Sequence, residues 1–176
     1  MSKILAFAGS NHQQSINYKL VNFASTKLSA EEVHLLDIRS WNVPIYSIDH
    51  DPDETPSEIS QLIDLIKTHH GFVISTPEHN GNISAFLKNI LDWLSRRSDQ
   101  VFEGKPVLLL STSPGGSGGA NSLDYLEKSL PRQGALIASK FSLPSFYQNF
   151  REEDLNDEYR EKLQTSLSEF KQAIAK

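Results

Sequence analysis

Apolar positions along this chain alternate between short continuous runs and longer segments of helical period. Ile4-Leu5-Ala6-Phe7-Ala8 stops at Gly9-Ser10, Gly71-Phe72-Val73-Ile74-Ser75 at Thr76-Pro77, and Pro106-Val107-Leu108-Leu109-Leu110 at Ser111-Thr112-Ser113-Pro114. Runs that are apolar on both faces and closed by turn residues predict strands covered on both sides by helices. Residues 33–38, and 135–139 after Gly134, are two weaker strands of the same kind. The intervening stripes step by three and four. Ile16, Leu20 and Phe23 mark the first, Ile59, Leu62, Ile63 and Ile66 the second, and Phe86, Leu87, Ile90, Leu91 and Leu94, with Ile83 ahead of them, the third. Residues 123–130 form a shorter helix that Pro131 ends, and Leu155, Tyr159, Leu163, Leu167, Phe170 and Ile174 mark a C-terminal helix. Such stripes are the ordinary mark of core packing. Alternation of strand and helix about five times predicts an α/β fold with a parallel sheet, right-handed connections and helices on both faces. The one long irregular segment, 39–56, holds Trp41, Pro44, Tyr46, Pro52 and Pro56 and exceeds the usual connection, which marks it as a functional loop or flap.

Length and composition narrow this picture. The 176 residues, without repeats or low-complexity tracts, read as a single domain over 1–176. A chain of this size buries roughly 70% of its unfolded surface, enough for a core without metals or disulfides. The absence of Cys excludes disulfide frameworks, thiolate metal sites and cysteine nucleophiles. A net charge of −5 argues against nucleic acid or an anionic membrane as partner. No apolar run approaches the ~18 residues of a membrane span, and the stretch after Lys3 is too short for a signal-peptide core, so a cytoplasmic protein is expected. The six histidines show no metal-ligand spacing.

In open parallel sheets, ligands lie beyond the carboxyl ends of the strands where the strand order reverses. Three strand ends here carry unusual polar and glycine content. After the first strand comes Gly9-Ser10-Asn11-His12-Gln13-Gln14-Ser15-Ile16-Asn17, where a helix amino end offers unpaired N–H groups to phosphate while Ser10, Ser15 and Asn17 add neutral donors. It has neither the Walker lysine nor the dinucleotide glycine spacing, and Ser15 is equally explained as a plain N-cap. After the central strand comes Thr76-Pro77-Glu78-His79-Asn80-Gly81-Asn82, whose Asn80-Gly81 pair adopts positive φ easily and exposes amides suited to the edge of a planar heterocycle. The third loop, Ser113-Pro114-Gly115-Gly116-Ser117-Gly118-Gly119, has four glycines in five positions, which lets backbone approach a flat ligand where a Cβ would collide. Glycine-rich loops are also ordinary turns.

The residues from the first strand to about Gly119 resemble the NADPH-dependent FMN reductase family, flavodoxin-like enzymes that include quinone, chromate and azo-dye reductases. The family pattern Gly-Ser-x-Arg-x-x-Ser-x-Asn reads here as residues 9–17, Pro-Glu-Tyr-Asn-Gly as Pro77-Glu78-His79-Asn80-Gly81, and Leu-Lys-Asn-x-x-Asp-Trp as Leu87-Lys88-Asn89-Ile90-Leu91-Asp92-Trp93. The resemblance implies a three-layer sandwich with strand order 2-1-3-4-5. It implies FMN as cofactor, with its phosphate among Ser10, His12, Ser15, Ile16 and Asn17. Its isoalloxazine would lie along Pro77, Glu78, His79, Asn80 and Gly81, with Ser113, Gly115 and Gly116 on the other side. A homodimer or homotetramer is also implied, with the Asp92-Trp93 helix near the subunit interface and Trp41 and Tyr46 placed to cap the partner protomer's flavin. His12 stands where the family has an Arg that helps neutralise phosphate, so FMN is expected either to bind more weakly or to rely more on the helix dipole. His79 stands in place of the usual Tyr, and Ser84-Ala85-Phe86 replaces a Pro-Gly entry to the next helix.

The function this implies is an FMN-dependent oxidoreductase that takes hydride from NADPH or NADH and reduces a quinone, free flavin or similar small acceptor. The flavin carries the chemistry, so no side-chain base is required, although His79 and Glu78 are candidates for assisting protonation. The competing reading is a flavodoxin-like electron carrier without NAD(P)H turnover.

Overall fold

A computed structural model describes residues 2–28, 33–50 and 55–176; part of the irregular segment, 51–54, lies outside the described residues. Five strands form one parallel sheet: β1 (Ile4–Ala8), β2 (Val33–Leu35), β3 (Gly71–Thr76), β6 (Pro106–Thr112) and β7 (Leu136–Leu143), in the spatial order β2-β1-β3-β6-β7. Two short hairpins are inserted, β4 (Glu78–His79) with β5 (Asn82–Ile83) and β8 (Phe150–Arg151) with β9 (Asp154–Leu155). With their strands set aside, the order is the expected 2-1-3-4-5.

Successive residues of the central strands serve opposite faces, as strand geometry requires. Leu5 and Phe7 of β1 join Phe72, Ile74, Val107 and Leu109 against α2 (Ser57–Thr68), α3 (Ala85–Ser95) and α4 (Ala120–Ser129). Ile4, Ala6 and Ala8 join Val73, Leu108 and Leu110 against α1 (Ile16–Lys27) and α6 (Asp157–Ile174). The result is the three-layer sandwich.

The edges depart from the sequence pattern for identifiable reasons. β2 ends at Leu35 rather than 38; Leu36 N–H still reaches Ala6 O at 2.8 Å, and Ile38 leaves the sheet to fill the core. β7 starts one residue later than expected and runs four residues further, with a register shift opposite Val107–Leu108 that leaves Ala138 without a partner. It is an edge strand whose outward residues are polar, Lys140 reaching Asp124 at 3.1 Å and Glu127 at 2.6 Å, so its apolar signal fades after Ile137. The C-terminal helix begins at Asp157, capped by Asn156, and Leu155 belongs to β9. His69 is buried and bonds Leu65 O at the end of α2 through Nδ1.

The Leu-Lys-Asn-x-x-Asp-Trp motif holds the irregular segment in place. Asn89 Oδ1 accepts from Tyr46 N–H at 2.8 Å, and its Nδ2 donates to Val43 O at 3.2 Å and Pro44 O at 3.0 Å. Trp93, fully buried, donates Nε1–H to Pro44 O at 2.8 Å and packs edge-on against Tyr46. Trp93 is therefore a core residue and Tyr46 is engaged within its own chain. No helix among the described residues is long and apolar enough to cross a membrane. Replacing Asn89 by Ala removes three bonds to one backbone segment and is expected to lower the unfolding free energy by about 1–3 kcal/mol, read from urea denaturation.

Candidate functional site

The carboxyl ends of β1, β3 and β6 meet the amino end of α1, and Asn17 ties them together. Its Oδ1 accepts from Ser75 Oγ at 2.9 Å and Thr112 N–H at 3.1 Å, and its Nδ2 donates to Thr112 O at 3.0 Å. All three residues are buried, so these bonds are protected from water. The side chain that the sequence offers as a phosphate donor is thus the strut that fixes α1 to the sheet.

The first loop is braced from within. Ser10 Oγ accepts from His12 N–H at 3.3 Å, and His12 O accepts from Ser15 N–H at 3.1 Å. His12 Nδ1 accepts from Gln14 N–H at 2.8 Å, which puts the ring proton on Nε2 and makes that nitrogen a donor. Outside the loop, Arg39 donates to Gln13 O, lies over the Tyr18 ring at 3.9 Å, and pairs with Asp37 through Nε at 2.9 Å and a terminal nitrogen at 2.6 Å. Ser15 caps α1, accepting from Tyr18 N–H at 3.2 Å. After these bonds are assigned, the N–H groups of Ile16 and Asn17 have no acceptor among the described residues, and the Ser10 and Ser15 hydroxyls still have a hydrogen to donate. The donor set is that of an anion site at a positive helix end.

These groups border a cleft of about 300 Å³. Ser10, His12, Ser15, Ile16 and Asn17 form one wall; Pro77, Glu78 and His79 form a second; and Ser113, with Thr112 and Pro114, forms a third. Nine of the sequence-predicted residues are therefore brought together. Asn80 and Gly81 sit at the exposed tip of the β4–β5 hairpin, where both carry positive φ as a two-residue turn requires, and they do not border the cleft. Gly115 and Gly116 are exposed on the third loop, also outside its walls.

Two expectations change in their reasons. The Glu78 carboxylate accepts from Asn121 N–H at 2.9 Å, Ser122 N–H at 3.4 Å and Asn121 Nδ2 at 3.1 Å, so it caps the amino end of α4 and joins the second loop to the third. An acid held this way serves position rather than proton transfer. In the third loop, the glycines that forbid a Cβ are Gly118 and Gly119; a Cβ at Gly119 would stand 1.9 Å from Ser111 Oγ, whereas Gly115 and Gly116 face open space. The close approach is made to the protein's own sheet. Ser84 replaces the expected Pro-Gly by capping α3 and donating to Gly9 O at 2.6 Å.

Sequence reasoning missed Gln14, Thr112, Pro114, Tyr147 and, behind the loop, Arg39. Arg39 had a signal, since the end of β2 lies beside the first loop in this strand order. Tyr147 had none: it stands on α5 (Phe146–Asn149), a single turn fixed to the third loop by Ser145 N–H to Gly115 O at 2.8 Å and Phe146 N–H to Ser113 O at 3.0 Å. Among the described residues no group of His, Asp and Glu is arranged to hold a metal.

A sheet of this order with a donor-rich cleft at its switch point defines a flavodoxin-like α/β protein. The model of the NADPH-dependent FMN reductase family matches residues 2–148, and the chain belongs to that family. It is 38% identical over 100 residues to a quinone reductase of Escherichia coli, a match covering 56% of this chain and 53% of that protein. The chain thus spans about half the length of that curated relative. It is 27% identical over 132 residues to an NAD(P)H-dependent FMN reductase of Pseudomonas aeruginosa, covering 73% of this chain and 69% of the other. Among solved structures it superposes on FerB, a flavoenzyme NAD(P)H:(acceptor) oxidoreductase of Paracoccus denitrificans, with a TM-score of 0.79 and 25% identity over 99% of this chain and 98% of that one.

Two measurements test this geometry. Asn17→Asp keeps the shape but turns the Nδ2 donor into an oxygen facing Thr112 O; a loss of about 2–4 kcal/mol in urea unfolding is expected. The Arg39 guanidinium holds the Asp37 carboxyl below the usual carboxylate range. A carboxyl depressed in the folded state contributes stability present above its unfolded value, about 4, and lost as pH falls through the folded value. Asp37→Asn is therefore expected to flatten the acid limb of the stability curve below about pH 4 while costing less than about 1 kcal/mol at pH 7, since the pair is partly solvent-screened.

Proposed function

We propose that this protein is an FMN-dependent NAD(P)H oxidoreductase that reduces a quinone, free flavin or similar small acceptor. The observation that carries the reading is the pair of unbonded N–H groups, Ile16 and Asn17, at the amino end of α1 beside the Ser10 and Ser15 hydroxyls. Together with His12 Nε2–H these residues would hold the FMN phosphate by neutral donors and the helix dipole, without the arginine usual in the family. The isoalloxazine would lie along Pro77, Glu78 and His79, with Ser113 on its other side, and reach toward the exposed Asn80-Gly81 and Gly115-Gly116 turns beyond the cleft walls.

Bound flavin supplies the redox chemistry, accepting hydride from a nicotinamide and passing the electron pair to the acceptor. The protein's part is placement. Asn17 holds the phosphate end against the sheet, Glu78 keeps the second loop docked on α4, and α5 presents Tyr147, 64% exposed, at the mouth of the cleft where a planar co-substrate enters. The chain would work in the cytoplasm as a homodimer or homotetramer, a reading supported by Ile45 and Ile48, which stand 84% and 74% exposed on the segment clamped to α3.

Purified protein saturated with FMN is expected to oxidise NADPH or NADH in steady state when a quinone is supplied. Ser15→Ala is expected to weaken FMN binding about tenfold, or ~1.4 kcal/mol, read by flavin fluorescence quenching. Flavin binding without nicotinamide turnover would favour the electron carrier, and an unchanged affinity in Ser15→Ala would remove the phosphate from the amino end of α1. Sedimentation velocity reads the assembly, with a monomer contradicting it.

A further inference from the structure

A second hollow, larger than the cleft, lies elsewhere on the described molecule. It is a groove of about 520 Å³ between α1 and the β8–β9 hairpin, within the size range of small-molecule sites. Its floor is aromatic: Phe23 meets Phe150 edge-on at 5.4 Å, and Phe150 stacks on Phe146 at 4.9 Å. Tyr147 packs edge-on against Phe146 at 5.5 Å and borders both the groove and the cleft. The α1 wall presents Lys19 and Lys27, the latter 4.6 Å above the Phe23 ring, and neither makes an ion pair among the described residues. The opposite wall presents Glu152 and Glu153.

Those two glutamates occupy the two-residue turn of the hairpin with φ of 51° and 61°. This chain closes its other such turn with Asn80-Gly81, the pair that tolerates these angles best. Two β-carbon-bearing acids in the left-handed region are a strained choice for a turn, and strain of this kind concentrates at ligand sites. An aromatic floor between a cationic and an anionic wall selects a planar ring with an anion at one end and a hydrogen-bond donor at the other.

We propose that this groove binds a hydroxylated aromatic carboxylate, its ring on Phe23 and Phe150, its carboxylate toward Lys19 and Lys27, and its hydroxyl toward Glu152 and Glu153. The site is separate from the flavin cleft and touches it through Tyr147. It does not depend on the flavin reading.

The probe is 4-hydroxycinnamate, titrated calorimetrically into the protein with and without saturating FMN. Saturable binding is expected in both conditions. Lys19→Gln with Lys27→Gln, both on an exposed helix face, is expected to weaken binding at least tenfold and to leave FMN affinity unchanged. 4-Hydroxycinnamyl alcohol, without the carboxylate, is expected to bind at least tenfold more weakly than the acid. Glu152→Asn with Glu153→Gly is expected to raise the Tm by relieving the turn, and to erase the preference for 4-hydroxycinnamate over cinnamate. Lack of saturable binding overturns the proposal. So does competition by FMN, or indifference to the lysine substitutions, because either places the ligand elsewhere. Flavin titration by absorbance is read independently, so failure of one site does not mimic failure of the other.

Discussion

The Asn17 carboxamide sits beside the crevice where the sheet order reverses, bonded to Ser75 of β3 and to both backbone groups of Thr112 in the adjacent β6. The chain leaves β1 for β2 on one flank and returns to β3 on the other, which opens a gap above the carboxyl ends of β1 and β3. A helix amino end placed over that gap faces its free N–H groups into it. Without a fixed tether the same helix would leave those groups to bulk water. The position of the α1 amino end, and of the anion site proposed there, therefore follows from one buried amide whose three bonds are made within the protein.

The loops around the cleft are tied to one another as firmly as to the sheet. Ser84 bonds Gly9 O, Glu78 caps α4 across the cleft, and the third loop carries α5 through two backbone bonds. Each link joins a strand end to an element from a different crossover, so the three loops form one framework. The charge near the first loop is arranged differently from the family pattern. Position 12 carries an imidazole engaged with Gln14, and the cation nearest the loop, Arg39, spends its guanidinium on Asp37, Tyr18 and the Gln13 carbonyl. Under the proposed function, recognition of a dianion would rest on short-range hydrogen bonds and on the helix dipole, which act only when the geometry is held.

The strands β1, β3 and β6 were legible because they are buried on both faces and stop at turn residues, and the helix stripes because they pack on a flat sheet. The edge strand β7 was half hidden, since its later residues alternate with Ser139, Lys140 and Ser142. The first loop was legible as one wall of a polar cleft from Ser10, Ser15 and the helix start. Asn17 was legible only as a member of that motif, because nothing local tells whether an amide bonds a ligand or a neighbouring strand 95 residues away. The same holds for Glu78, whose partner helix lies more than forty positions downstream. The glycines at 118 and 119 were read as room for a ligand, when the crowding comes from Ser142 and Ser111. Tyr147 sits on one turn of helix, too short to leave a periodic trace.

The central claim, that the amino end of α1 holds a phosphate, is tested most directly by comparing the affinities of FMN and riboflavin for the same protein, since the two differ only in that group. The account predicts that FMN binds about a hundredfold more tightly, close to 2.7 kcal/mol, as several charge-assisted hydrogen bonds at a helix end supply. Equal affinities, or no binding of either flavin, would contradict it.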